Sequence, residues 1–143
     1  MPPAPSRLPR RLPRFLLDED TSSRRIRDAL EAAGHAVTTV PEEFGRQTDD
    51  AVWLGKAGRE GWIVLSKDRR ITRKPDELAA LADAKAMVFF FPAGDLSAEK
   101  LVAILLANLP EIERKIRKYR PPLACRMREK GNLVDLLVPT RRR

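Results

Sequence analysis

Apolar residues along this chain follow two alternating rhythms. Short apolar or β-branched runs at Phe15-Leu16-Leu17, Ala36 to Val40, Trp62 to Leu65 and Ala86 to Phe91 read as strands. Between them, apolar residues recur three and four positions apart. Ile26, Ala29, Leu30 and Ala33 predict a helix opened by Thr21-Ser22-Ser23 and stopped by Gly34. A second helix is expected from Asp49 to Glu60, ended by Gly61, and Pro41 to Thr48 reads as a loop. A third begins at Pro75, with Asp76 and Glu77 in the first turn where the helix dipole favours them. Ser97 caps a longer helix with Leu101, Ile104, Leu105, Leu109, Ile112 and Ile116 on one side, which Pro110 is expected to kink or split. After Pro121-Pro122, Leu123 to Arg128 and Leu133 to Val138 flank a hairpin turn at Glu129-Lys130-Gly131-Asn132. Strand and helix alternate, and the Ala86 to Phe91 run is apolar throughout. The expected fold is therefore α/β, a three-layer α/β/α sandwich around a mostly parallel sheet, with a C-terminal hairpin.

The 143 residues fit one domain, and 43% apolar content is enough for a single core. Residues 1 to 14 are too rich in Pro and Arg to bury a core and read as a disordered basic tail. The domain is expected over 15 to 138, with a basic tail at 139 to 143. The one cysteine, Cys125, reads as a small buried residue, and no Cys/His cluster has zinc spacing. With no signal-peptide pattern and no apolar run near the roughly 20 residues of a membrane span, a cytoplasmic protein without membrane contact is expected.

Net charge is +8, unevenly spread. Residues 1 to 14 hold four Arg and no acid; residues 111 to 143 hold eleven Lys/Arg against four acids; the stretch between holds thirteen against sixteen, or −3. An acidic centre with basic flanks suits a metal site that attracts a polyanion, although solvated basic ends would give the same count.

The acids of that centre fall at telling places. Asp18 follows the first strand, Asp68 follows the third, and Asp50 opens a helix whose Trp53, Leu54 and Ala57 share its face. In a parallel sheet the carboxyl ends of strands form one rim, so Asp18 and Asp68 converge there. The helical spacing would turn Asp50 toward the interior, where a carboxylate needs a partner or a metal. Each acid alone, Asp49 included, could be a helix cap. Together they suit a hard cation such as Mg²⁺ or Mn²⁺. Ser66 could orient a carboxylate. His35, the only histidine, reads as a turn or core residue and not a base.

Phe15-Leu16-Leu17-Asp18-Glu19-Asp20, Ala32-Ala33-Gly34-His35-Ala36-Val37, Asp50 with Trp53 and Ala57, and Gly61 to Asp68 together resemble the PIN-like nucleases, and among them the toxins of VapC-type toxin–antitoxin systems. The likeness spans about residues 14 to 92 and is expected to extend through Tyr119-Arg120-Pro121-Pro122. It implies an Mg²⁺- or Mn²⁺-dependent endoribonuclease that cleaves RNA with a metal-activated water. Asp18, Asp50 and Asp68 would be the metal ligands and Asp20 a fourth catalytic acid. A cognate antitoxin partner is implied, and a homodimer is compatible with it. Many relatives carry a further acid shortly after the third Asp, where this chain has Arg69-Arg70-Ile71. Lys67, Arg69 and Arg70 are placed to hold RNA phosphates. The rival readings are a phosphoacceptor receiver module, which lacks a convincing Lys near Phe89-Phe90-Phe91-Pro92, and an inactive RNA- or partner-binding PIN-like protein.

Overall fold

A strand that is apolar at every position has to be covered on both faces, and this requirement organises the molecule. The structure, a computed structural model, describes residues 12–18, 21, 23–45, 47–67 and 75–142. Phe15–Leu17 (β1), Val37–Thr39 (β2), Ile63–Ser66 (β3), Met87–Phe90 (β4) and Leu123–Met127 (β6) pair in parallel in the order β2-β1-β3-β4-β6. Leu133–Asp135 (β7) closes the far edge antiparallel to β6. Tyr119–Arg120 (β5) and Thr140–Arg141 (β8) form a separate antiparallel ribbon.

Side-chain alternation along the strands divides the core into two layers. Phe15, Leu17, Ile63, Leu65, Met87, Phe89, Leu123 and Cys125 face α1 (Arg24–Ala32) and α5 (Ala98–Lys118). Leu16, Val64, Val88, Phe90 and Ala124 face the other way, against Val40 of α2 (Val40–Phe44), Trp53, Leu54 and Ala57 of α3 (Asp50–Glu60) and Leu81 of α4 (Pro75–Asp83). The expected sandwich with a mostly parallel sheet is what the chain forms.

Three local features refine the expected elements. Of the kink or split expected at Pro110, the split does not occur: α5 is one helix of 21 residues. Proline removes the hydrogen bond to the carbonyl four residues back, and both Leu106 and Pro110 are exposed, so water can take that carbonyl. The expected loop after β2 contains α2, started by the Thr39 hydroxyl accepting the Glu42 N–H at 3.2 Å. Within 139 to 143, Thr140–Arg141 pairs with β5, and Arg142 binds the end of α5 through its backbone N–H to Lys118 O (2.8 Å) and its Nε to Ile116 O (3.0 Å).

Parallel strands give the sheet a polarity. The carboxyl ends of β1, β3, β4 and β6 define one rim. The β5/β8 ribbon, which joins α5 to the start of β6, lies toward the opposite end.

Candidate active site at the carboxyl rim

Asp18 is the first residue past β1 and is only 6% exposed, so its carboxylate has to find donors. Thr21 gives its backbone N–H to Oδ1 at 2.9 Å, and the Ser66 hydroxyl donates to Oδ2. The Thr21 hydroxyl lies 2.7 Å from Oδ1, 3.0 Å from the Leu65 carbonyl oxygen and 3.4 Å from that of Asp18, so its single proton has three acceptors within reach. Thr21 and Ser66 are themselves fully buried. The carboxylate is thus clamped from the end of β3 on one side and from the turn leading to α1 on the other. Ser66 does orient a carboxylate, as its spacing suggested. Asp18 caps the turn at Thr21, and Ser23 caps α1 itself, accepting from the Ile26 N–H at 3.1 Å. Thr21 was read only as a cap residue, although its i+3 spacing from Asp18 was the available signal for this hydrogen bond.

Asp50 is the first residue of α3 and is exposed, not turned inward. Helical side chains lean toward the N-terminus, so a first-turn residue reaches over the rim instead of down into the core. The buried Trp53 indole follows it there, with Nε1 donating to Asp50 Oδ1 at 3.1 Å. Asp49 is the N-cap of α3 and makes no side-chain capping bond. Lys67 is half-buried just past β3. Asp20, Asp68, Arg69 and Arg70 lie outside the described residues; among the described ones the structure joins Asp18 to Ser66 and Thr21, and Asp50 to Trp53. Among the described residues, no group of three or more His, Cys, Asp or Glu side chains could hold a metal ion.

His35 lies toward the other end of the sheet, its Nε2 2.6 Å from Glu113 Oε2 and its ring edge-on to Phe15. It ties the turn before β2 to α5 and is remote from the rim. Cys125 is buried, and its thiol lies 3.4 Å from Asp135 Oδ1. Burial pushes that thiol up to about 12, far from nucleophilic character at neutral pH. Asp135 is also paired with Lys115, which in turn stands over the Tyr119 ring.

A parallel α/β/α sandwich with carboxylates at its carboxyl rim fits more than one class, because a receiver shares the order β2-β1-β3-β4-β6. The match over residues 13–93 decides between them: this chain belongs to the family described as "PIN like domain". That span runs from before β1 to past β4 and includes Asp18 and Asp50. The chain is also similar to the Mycobacterium tuberculosis protein named "Putative ribonuclease VapC45", 29% identical over 110 residues, which are 74% of this chain and 80% of that protein. No solved structure matches it. The donor chemistry at the rim fits a divalent metal: Asp18 and Asp50 offer hard carboxylate oxygens, and fixed donors orient that of Asp18. No helix among the described residues is long and apolar enough to cross a membrane.

Proposed function

We propose that this protein is an Mg²⁺- or Mn²⁺-dependent endoribonuclease and the toxin of a toxin–antitoxin pair. The observation that supports this best is the clamped Asp18 carboxylate at the carboxyl rim of a PIN-like domain. The name of the M. tuberculosis relative points the same way. Asp18, Asp50 and Asp68 would hold the metal, with Asp20 beside them. A divalent cation held there would supply positive charge to acidify water and stabilise charge building on the scissile phosphate. Ser66 and Thr21 hold the Asp18 carboxylate fixed in orientation before any ligand arrives. The Trp53 indole does the same for Asp50 from inside the core. Lys67, Arg69 and Arg70 would hold the RNA backbone as it enters. An acidic antitoxin would be drawn to the same positive surface that attracts RNA.

The test is cleavage of RNA by the purified protein with Mg²⁺, with Mn²⁺ and with chelator. Asp18→Asn, Asp50→Asn and Asp68→Asn should each remove metal-dependent cleavage. Undiminished cleavage by Asp18→Asn would refute the proposal, and a stable acyl phosphate on Asp68 after exposure to acetyl phosphate would favour a receiver instead.

A further inference from the structure

β6 reads Leu-Ala-Cys-Arg-Met, and only Arg126 is exposed; its four companions are at most 1% accessible. It is not on an edge strand, since β7 lies beyond it. An arginine in an interior strand needs a reason. Strand register supplies one. Ser66 pairs with Phe90, and Phe90 with Arg126. Asp18 follows the Leu17↔Leu65 pair and accepts from the Ser66 hydroxyl, so it begins the same row. Alternation puts Arg126 on the face of Ala124, the face covered by α3, whose N-terminus presents Asp50. Three strand spacings separate Asp18 from Arg126, about 14 Å at roughly 4.8 Å each. Among the described residues, no carboxylate pairs with Arg126, whereas Lys100, Arg114 and Lys115 are each taken up by Glu129, Glu111 and Asp135.

We infer that Arg126 is a substrate-positioning residue that grips an RNA phosphate a few nucleotides from the bond held at Asp18. Guanidinium presents a planar fork that matches two phosphate oxygens, and its exposure leaves it open to a strand crossing the rim. This contact comes from β6, beyond the span matched to the family. The inference rests on the ribonuclease reading above.

The test uses the full chain and two fluorescein-labelled RNAs, one unstructured and one hairpin. Binding is followed by anisotropy in chelator at several salt concentrations, and cleavage in Mg²⁺ or Mn²⁺. Arg126→Gln should weaken binding about tenfold, the scale of one charge-assisted hydrogen-bonded contact. The salt slope should fall by about 0.7, the value for one phosphate on a single strand. KM should rise more than kcat falls, because the contact holds substrate and transition state alike. Arg126→Lys should recover the salt slope and part of the affinity, and both variants should melt with wild type. A merely structural role would leave the salt slope unmoved. If wild type binds RNA and Arg126→Gln binds it with the same affinity and slope, this inference is wrong and the ribonuclease reading stands. If wild type binds neither RNA and cleaves neither, both are wrong together.

Discussion

Gly55 and Gly58 lie three residues apart on α3, and the same substitution should move stability in opposite directions at the two sites. A methyl group on Gly58 would sit 1.8 Å from the Ala84 carbonyl oxygen and 2.9 Å from its carbon. Both are backbone atoms of the turn after α4, so no rotamer change relieves the clash. α3 would have to withdraw from that turn by more than an ångström. Overpacking costs about 1–3 kcal/mol, and so close a contact belongs at the upper end. Replacing glycine by alanine inside a helix returns about 1 kcal/mol. Gly58→Ala should therefore destabilise by about 1–2 kcal/mol. At Gly55 the new methyl would meet only Arg59 Nη1 at 3.3 Å, the end of a flexible side chain. There the propensity gain survives, and Gly55→Ala should stabilise by up to about 1 kcal/mol. For a chain of this length 1 kcal/mol moves Tm by about 2–4 °C. Gly58→Ala should fall by roughly 2–8 °C, and Gly55→Ala should rise by up to about 4 °C. Urea titration gives the same comparison at constant temperature. Because α3 carries Asp50 at its N-terminus, RNA cleavage should drop in Gly58→Ala and not in Gly55→Ala. Equal shifts of the same sign would refute the packing argument.

Asp18→Asn should lower Tm in the absence of metal, by up to about 2 kcal/mol, because an amide cannot accept from both Ser66 and Thr21 as the carboxylate does; Asp50→Asn, exposed and still able to accept from Trp53, should stay within about 0.5 kcal/mol. Thermal melts in chelator compare the two, and equal stability would mean that the Asp18 clamp adds nothing. Burial holds the Cys125 thiol protonated up to about 12 against an ordinary 9.0, so its contribution is complete below pH 9 and is lost as pH rises toward 12. Wild-type Tm should fall more steeply over that window than Cys125→Ala, and the native thiol should resist alkylation at neutral pH; parallel pH profiles would contradict this. Arg142→Ala should cost about 1 kcal/mol in urea, since its Nε accounts for the Ile116 carbonyl at the end of α5. An unchanged midpoint would show that water serves that carbonyl equally well.

Much of the architecture was legible because the strands of a covered parallel sheet advertise themselves as unbroken apolar runs. Ile63–Ser66 and Met87–Phe90 could be read directly, as could the helix faces at Ile26 and Leu30 or at Ile104 and Leu105. The β5/β8 ribbon was hidden for the converse reason: Tyr119–Arg120 and Thr140–Arg141 carry no apolar pattern, and their pairing is set by where α5 ends. α2 was missed because Thr39 is both the last residue of a strand and the cap of a helix. At the site, Asp18 and Ser66 could be found from strand ends alone. The orientation of Asp50 could not, because periodicity names a face but not how a first-turn side chain leans along the axis. Arg126 was invisible for a different reason, since register across four strands is a property of pairing and not of local spacing.

That register also changes what the basic C-terminal third can do. As a count along the chain it is one +7 block, but the fold divides it. Arg126 is in the row of Asp18 and Ser66. Arg120 pairs with Thr140 and Arg141 with Tyr119 in the ribbon toward the opposite end, beside Lys118, whose ammonium stands 5.4 Å from the centre of the Tyr119 ring. A strand of five residues spans about 17 Å, roughly twice the screening length of about 8 Å at physiological salt. Ribbon cations therefore draw a polyanion toward the molecule at low salt but exert little hold on a phosphate at the rim. On the proposed function, the grip on a strand lying across Asp18 would fall to the cations that the sheet itself carries to its carboxyl ends, so that one arginine in an otherwise buried strand would outweigh a larger number of arginines at the terminus.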